Sequence, residues 1–209
     1  MARLHEFRGK ELLRSAKIPV PENELVTTPA QAMAAAEKLG GPVVLKGQIF
    51  ITSRAKKGAV RFADSPEETK TTASDMLGAS FGEHTIHQLL IEKKLAIADE
   101  YFASVFIDDI SRRPGIIFSA VGGSGVEDTV KKAPDKVVRH TYDIHDGLPV
   151  YTARNLVRRT GIHGKAQMKL ADILVKLTKA ARTYECRSAE INPIVRTEDG
   201  KFYAADCRM

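Results

Sequence analysis

Two cysteines, Cys186 and Cys207, are all this 209-residue chain contains. That number excludes a disulfide framework and a four-cysteine zinc site. No CxxC pair, Ser/His/Asp elbow, P-loop or dinucleotide fingerprint is present, so the common nucleophile and Gly-rich phosphate motifs are not available. No apolar run approaches membrane-spanning length, and the start, Met1-Ala2-Arg3-Leu4-His5, lacks signal-peptide form. A soluble protein of a reducing compartment is expected: the cytoplasm, or the mitochondrial matrix in a eukaryote, with no membrane partner. One-sided charge is also scarce. Lys and Arg number 32 against 26 Asp and Glu, a net charge of +6 spread along the chain. That excess suits a polyphosphate but does not indicate a nucleic-acid partner. There is no internal repeat and no low-complexity linker. At 43% hydrophobic residues, the chain has material for one large domain or two small lobes.

Helix signals come first. Leu4, Phe7, Leu12 and Leu13 recur at roughly helical spacing before Pro19 and Pro21. Thr28-Pro29-Ala30-Gln31 is a helix start: Thr28 caps, Pro29 fits the first turn and Gln31 reaches back. The Ala-rich run after it stops at Gly40-Gly41. Ser65-Pro66-Glu67-Glu68 repeats the start signal, and Gly78 ends that helix. The longest helix runs from 166 to 184, with Leu170, Ile173, Leu174, Leu177 and Ala181 on one face. Strands are expected at 42–47, 59–62, 86–92, 101–107 and 116–121, with a polar turn at 111–115. Strands 188–195 and 202–207 close the chain around Asp199-Gly200, a strong hairpin signal. Helices and hairpins interleave without strict βαβ repetition, which favours α+β, or α/β with antiparallel pairs, over a doubly wound parallel sheet; α+β is the expected class.

The closing hairpin carries the densest chemistry. Glu190 and Asn192, two apart on one strand, share a face. A three-residue loop sets Asn192 opposite Asp206; a two-residue turn shifts the register by one and still leaves the three residues close. Asp and Asn oxygens suit Mg²⁺, which completes its shell with phosphate and water. A polar outer face of an ordinary hairpin is the plainer reading. Lys46 interrupts an apolar strand and is either a phosphate-reaching cation or a snorkelling edge lysine. Arg54, Lys56 and Lys57 follow it, as a phosphate-binding loop or a solvated charge run. Gly122-Gly123-Ser124-Gly125 precedes a short polar helix and is either an anion-holding loop or a flexible turn. Glu92 and Glu100 bracket 93–99, a segment able to link two lobes. Their carboxylates suit a ribose or an adenine amine, or plain solvation. The six histidines show no metal-ligand spacing.

Read in order, Leu4-His5-Glu6-Phe7 with Lys10-Glu11-Leu12-Leu13, Ile18-Pro19-Val20-Pro21, and Val44-Leu45-Lys46-Gly47-Gln48 form a recognisable series. Leu90-Ile91-Glu92, Asp99-Glu100, Ala189-Glu190-Ile191-Asn192-Pro193-Ile194-Val195, Asp199-Gly200 and Ala205-Asp206 continue it. The whole chain resembles the N-terminal ATP-grasp portion of the β subunit of ADP-forming succinyl-CoA synthetase, and the related malate–CoA ligase and ATP-citrate lyase groups. The Glu-Ile-Asn-Pro string with its following strand Asp is the most specific element. The resemblance implies a two-lobed ATP-grasp fold, one lobe at about 20–95 and the other at about 1–19 plus 96–209. It implies ATP and Mg²⁺ as cofactors. Lys46 would meet the phosphates, and Ser53, Arg54 and Ala55 would lie in the nucleotide loop. Glu92 and Leu95 would lie at adenine and Glu100 at ribose. Asn192 and Asp206 would ligate Mg²⁺. Glu190 is the catalytic candidate, orienting a phosphohistidine brought by a CoA-binding partner subunit in a hetero-oligomer.

Two departures qualify the resemblance. The family loop is glycine-rich, whereas here it reads Ile51-Thr52-Ser53-Arg54-Ala55-Lys56-Lys57-Gly58. Side chains there crowd the approach to phosphate or change the choice between ATP and GTP. The ATP-citrate lyase group also carries a more basic, less glycine-rich loop. The family's C-terminal ligase domain is not found in these residues, and none of the six histidines matches the phosphohistidine. The expected role is therefore one component of an acid–CoA ligase. Two rivals are a non-catalytic ATP-grasp shell used for interaction, and an ATP-grasp carboxylate–amine ligase working through an acylphosphate.

Overall fold

The computed structural model describes residues 3–51, 54–123 and 134–209. Its elements are α+β, and every described strand pairing is antiparallel.

A four-stranded sheet has the order β1 (Asn23–Val26), β6 (Leu89–Lys93), β2 (Val43–Gly47) and β3 (Val60–Ala63). Helices α2 (Pro29–Leu39) and α3 (Pro66–Met76) cover one face of it. Strand alternation sends Val43, Leu45, Leu89 and Ile91 into a core with Ala32, Ala35, Ala73 and Met76. The same alternation turns Lys46 and Glu92 to the opposite face, which is also buried. β2 and β6 therefore deliver a lysine and a glutamate to one buried surface. A short hairpin, β4 (Ser80–Phe81) with β5 (His84–Thr85), sits beside this unit.

Both helix starts form as the sequence expects. Thr28 accepts from Gln31 N–H at 3.3 Å, and Gln31 Oε1 accepts from Thr27 N–H at 2.9 Å. Ser65 accepts from Glu68 N–H at 3.1 Å, and Glu68 accepts from Asp64 N–H at 2.8 Å. Replacing Ser65 by Ala should cost about 1 kcal/mol of stability in urea unfolding, because it orphans a first-turn donor.

The second sheet runs β11 (Phe202–Ala204), β10 (Ala189–Thr197), β7 (Ile97–Asp108), β8 (Arg113–Ser119) and β9 (Val137–Thr141), with β12 (Cys207–Arg208) also on β10. Helices α4 (Val150–Arg159) and α5 (Gly164–Thr183) supply Leu156, Leu170, Leu174 and Leu177 to its core. The expected apolar face of the long helix is the buried one. Helix α1 (Glu6–Ser15) lies close against β12: a Cβ on Gly9 would come 2.7 Å from Cys207 Sγ. No described helix is long and apolar enough to cross a membrane.

Four differences from the sequence reading have local causes. β1 is short, with only Leu25 and Val26 as an apolar signal, and its pairing with β6 creates it. α4 buries Ala153, Leu156 and Val157 at helical spacing, but Arg154, Arg158 and Arg159 mask that stripe. β9 has only Val137 and Val138 as an apolar signal and forms by pairing with β8. The turn expected at 111–115 is tighter: Arg112 takes φ 54°, and Arg113, Pro114 and Gly115 already belong to β8.

Candidate functional site

β10 and the segment that returns beside it set the first half of the site. Glu198, Asp199 and Gly200 form a three-residue hairpin loop closed by Thr197 N–H to Lys201 O at 2.9 Å, with Gly200 at φ 79°. That loop selects the register in which Asn192 N–H donates to Asp206 O at 3.0 Å. Glu190 and Asn192 lie on the half-exposed face, while Ala189 and Ile191 face the core. Asn192 Oδ1 accepts from Gly123 N–H at 2.9 Å, which fixes the orientation of its amide. Gly122 N–H donates to Glu100 O at 2.9 Å. Both described N–H groups of this glycine segment thus have protein acceptors and do not form the anion loop the sequence admits. Ser124, Gly125 and the polar helix expected after them lie outside the described residues.

The second half is a buried cluster of alternating charge. Lys46 Nζ reaches Glu6 Oε1 at 3.1 Å, Glu92 Oε1 at 2.7 Å and Ala205 O at 2.6 Å. Lys10 Nζ contacts Glu6 Oε1 at 2.8 Å, Ala205 O at 2.8 Å and the Glu92 carboxylate. Arg54 donates to Glu6 Oε2 at 2.5 Å, Asp206 Oδ1 at 2.8 Å and Gly47 O at 3.2 Å. Three cations thus face three carboxylates. The side chains of Lys10 and Glu6 are 0% and 2% exposed, whereas Asp206 keeps 25%. Such charges persist in a dry interior only when each is paired and hydrogen-bonded.

The electrostatics follow from that packing. Burial pushes the Glu6 carboxyl up, but Lys10, Lys46 and Arg54 outweigh it and hold it well below the usual range. Burial pulls Lys46 down, yet Glu6, Glu92 and Asp206 raise it above an ordinary lysine. Arg54 is likewise raised, by Glu6 and Asp206 against burial. Asp206 moves the other way from Glu6. Burial and the Glu6 charge raise it, against Arg54, Lys46 and Lys10. The Glu6 contribution to stability is complete above the ordinary glutamate value of 4.5 and is lost as pH falls through the lower folded value. Stability should therefore fall as the solution is acidified below that range. The fall should be shallower in Glu6→Gln when urea midpoints are compared across pH.

The remaining sequence-predicted residues are more dispersed. Glu100 is exposed at the start of the second sheet, and its carboxylate packs against Gly123, where a Cβ would collide with it. Leu95 is half-buried between β6 and β7. Ala55 is exposed in a turn closed by Gly58 N–H to Ala55 O at 3.2 Å. Ser53 lies outside the described residues. Glu190 lies 3.8 Å from Arg208. Glu92 sits in the charged cluster, not open to the link. Glu6 and Lys10 received no individual role from sequence. The available signal was a Glu–Lys pair at i, i+4 on the stripe that also carries Leu13, the buried face of α1.

Asn192 and Asp206 offer oxygens to a hard cation, and Lys46 and Arg54 meet an anion only by leaving carboxylates that now pair them. An amide oxygen and a carboxylate, held beside each other by a backbone hydrogen bond, fit Mg²⁺ better than a softer metal. No group of three or more His, Cys, Asp or Glu side chains able to hold a metal occurs among the described residues. A cation at Asn192 and Asp206 would complete its shell with oxygens such as those of phosphate and water. Asp206 is at present paired with Arg54, so a cation and that guanidinium compete for one carboxylate. A cavity of 650 Å³ lies elsewhere, between β7, β8 and α5; it is lined by Val105, Tyr142, Leu148 and Arg182 and by none of the clustered charges.

Comparisons with known proteins bear on the family and the fold. The chain is 40% identical over 207 residues to the β1 subunit of ADP-forming succinate–CoA ligase from Archaeoglobus fulgidus, covering 99% of this chain and 54% of that protein. It is 35% identical over 206 residues to the GDP-forming β subunit from Thermus thermophilus, again covering 99% and 54%. The chain therefore spans about half the length of the curated relatives it matches. Among solved structures, PH1788 from Pyrococcus horikoshii superposes with a TM-score of 0.82 at 22% identity, covering 99% of this chain and 90% of that one. ATP citrate lyase from Methanothrix soehngenii gives 0.76 at 18% identity, covering 99% and 50%. At those identities the likeness shows the fold. The ATP-grasp domain profile matches residues 3–196, nearly the whole chain, and the chain belongs to the ATP-grasp family.

Proposed function

We propose that this chain is the nucleotide-binding component of an ADP-forming acid–CoA ligase. It holds ATP·Mg²⁺ while a phosphoryl group passes to or from a histidine on a CoA-binding partner subunit, within a hetero-oligomer. The observation that carries this reading is the convergence of Lys46 and Arg54 with Asp206, next to Asn192, in one cluster. The β-subunit relatives, which align along the whole chain, support it.

In this reading Lys46 and Arg54 face the phosphates, with Ser53 and Ala55 in the same loop. Asn192 and Asp206 hold Mg²⁺, which neutralises phosphate charge and fixes phosphate geometry when bound. Leu95 lies against the base and Glu100 near the ribose. Glu92 reaches adenine only by re-pairing, because its carboxylate now serves Lys10 and Lys46. Glu190 orients the incoming phosphohistidine. The chain supplies position and charge and no covalent nucleophile.

A second reading has one observation in its favour. All three Lys46 N–H groups already have acceptors, and Arg54 is tied to two carboxylates. That is the arrangement of an ATP-grasp shell that keeps its fold without a nucleotide. Calorimetric titration of the 209-residue chain with ATP, with and without Mg²⁺ and against GTP, separates the two. Nucleotide binding at least about tenfold weaker without Mg²⁺ is the expected result. No binding by a chain that unfolds cooperatively would leave the shell.

A further inference from the structure

Glu6 is the one residue of the buried cluster that touches all three of its cations. Its Oε1 serves Lys10 at 2.8 Å and Lys46 at 3.1 Å, and its Oε2 serves Arg54 at 2.5 Å. Glu92 pairs with the two lysines only, and Asp206 pairs with Arg54 only. Lys46 and Arg54 come from different pieces of chain, strand β2 and the turn that follows it. Arg54 is also tied to Gly47 O at 3.2 Å through its other terminal nitrogen, a bond that does not reach the Lys46 ammonium. The Glu6 carboxylate fixes both charges against one rigid group. Glu6 itself is held by the first turn of α1, and the close contact between Gly9 and Cys207 seats that helix.

We infer that Glu6 is a positioning residue for the triphosphate: it sets the spacing and orientation of Lys46 and Arg54 without touching nucleotide. This rests on the nucleotide-binding reading above. When Asp206 turns to a cation, its pair with Arg54 breaks, and Glu6 becomes the carboxylate that keeps Arg54 in place. A bidentate carboxylate between two cations is a geometric device as well as a charge balance.

Charge balance alone is the competing explanation, and a charge-neutral double variant separates the two. Glu6→Gln with Lys10→Met removes one negative and one positive charge, so the cluster stays neutral. The probes are inorganic tripolyphosphate with Mg²⁺, which reads the cations, and adenosine, which does not. Wild-type binding of Mg·ATP comes first; its absence would remove the nucleotide reading itself. Given that binding, E6Q/K10M should bind tripolyphosphate about tenfold more weakly and adenosine as wild type does. Unchanged tripolyphosphate affinity would overturn the assignment, and so would parallel loss of both probes, which marks general damage. Should the double variant fail to fold, Glu6→Asp carries the test. It keeps the charge and withdraws the carboxylate by one methylene. Tripolyphosphate affinity equal to wild type in E6D would overturn the assignment, and a selective loss would uphold it.

Discussion

Replacing Lys10 by Met should lower the free energy of unfolding by about 3–5 kcal/mol, although Lys10 contacts no nucleotide group in the proposed site. Its ammonium is fully buried and lies against Glu6, Glu92 and the Ala205 carbonyl. Met fills much of the volume, so the loss is electrostatic. Glu6, Glu92 and Asp206 would then face only Lys46 and Arg54, leaving one uncompensated negative charge out of water. The sign gives a second signature. A cluster with surplus negative charge gains stability by taking up a proton, so K10M should recover part of its deficit as pH falls from neutral toward 5. Urea unfolding at both pH values checks this. A loss below 1 kcal/mol at neutral pH would show that water reaches the cluster and screens it.

Replacing Gly122 by Ala should damage both the fold and the site. A Cβ there would sit 2.6 Å from Tyr101 C and 2.8 Å from Tyr101 N, and would also collide with the Tyr101 carbonyl oxygen. These are backbone atoms in the middle of the second sheet and cannot rotate aside. The segment must lift from β7 at a cost of about 3 kcal/mol, the upper part of the usual range for overpacking. Lifting it breaks Gly122 N–H to Glu100 O and carries away the Gly123 N–H that orients Asn192. Loss of a partner that orients a metal ligand typically costs 10–100-fold in metal affinity. G122A should therefore weaken Mg·ATP binding about tenfold or more while affecting Mg²⁺-free nucleotide much less. Equal losses in both conditions would disconnect this segment from the cation.

Local signals in the sequence specify much of this fold. Capping at Thr28 and Ser65, the apolar face of the long helix and the Asp199-Gly200 hairpin all form as their residues require. The hairpin does more than shape the chain, because its loop length sets Asn192 beside Asp206. Period-two alternation also foretells that Lys46 faces away from Val43 and Leu45. It cannot tell what waits on the other side. The partners of Lys46 come from α1, β6 and the Ala205–Asp206 segment, up to 159 positions away, and only tertiary packing brings them in. For that reason Glu92 reads as a link residue in sequence and is a buried counter-ion in the fold. Glu6 and Lys10 looked like part of an ordinary helix because charged residues on a helix are usually solvated. Only their place on the Leu13 stripe marks them as buried. Strands such as β1 and β9 escape sequence reading for a related reason: their neighbours, more than their own residues, create them.

The most direct test of the account is a structure of this chain with a non-hydrolysable ATP analogue and Mg²⁺. It should show the triphosphate against Lys46 and Arg54, and Mg²⁺ about 2.0–2.1 Å from Asn192 Oδ1 and an Asp206 carboxylate oxygen. Arg54 should have left Asp206 while remaining on Glu6. A nucleotide bound elsewhere, or one seated here with the Arg54–Asp206 pair intact and no cation on Asn192, would contradict it.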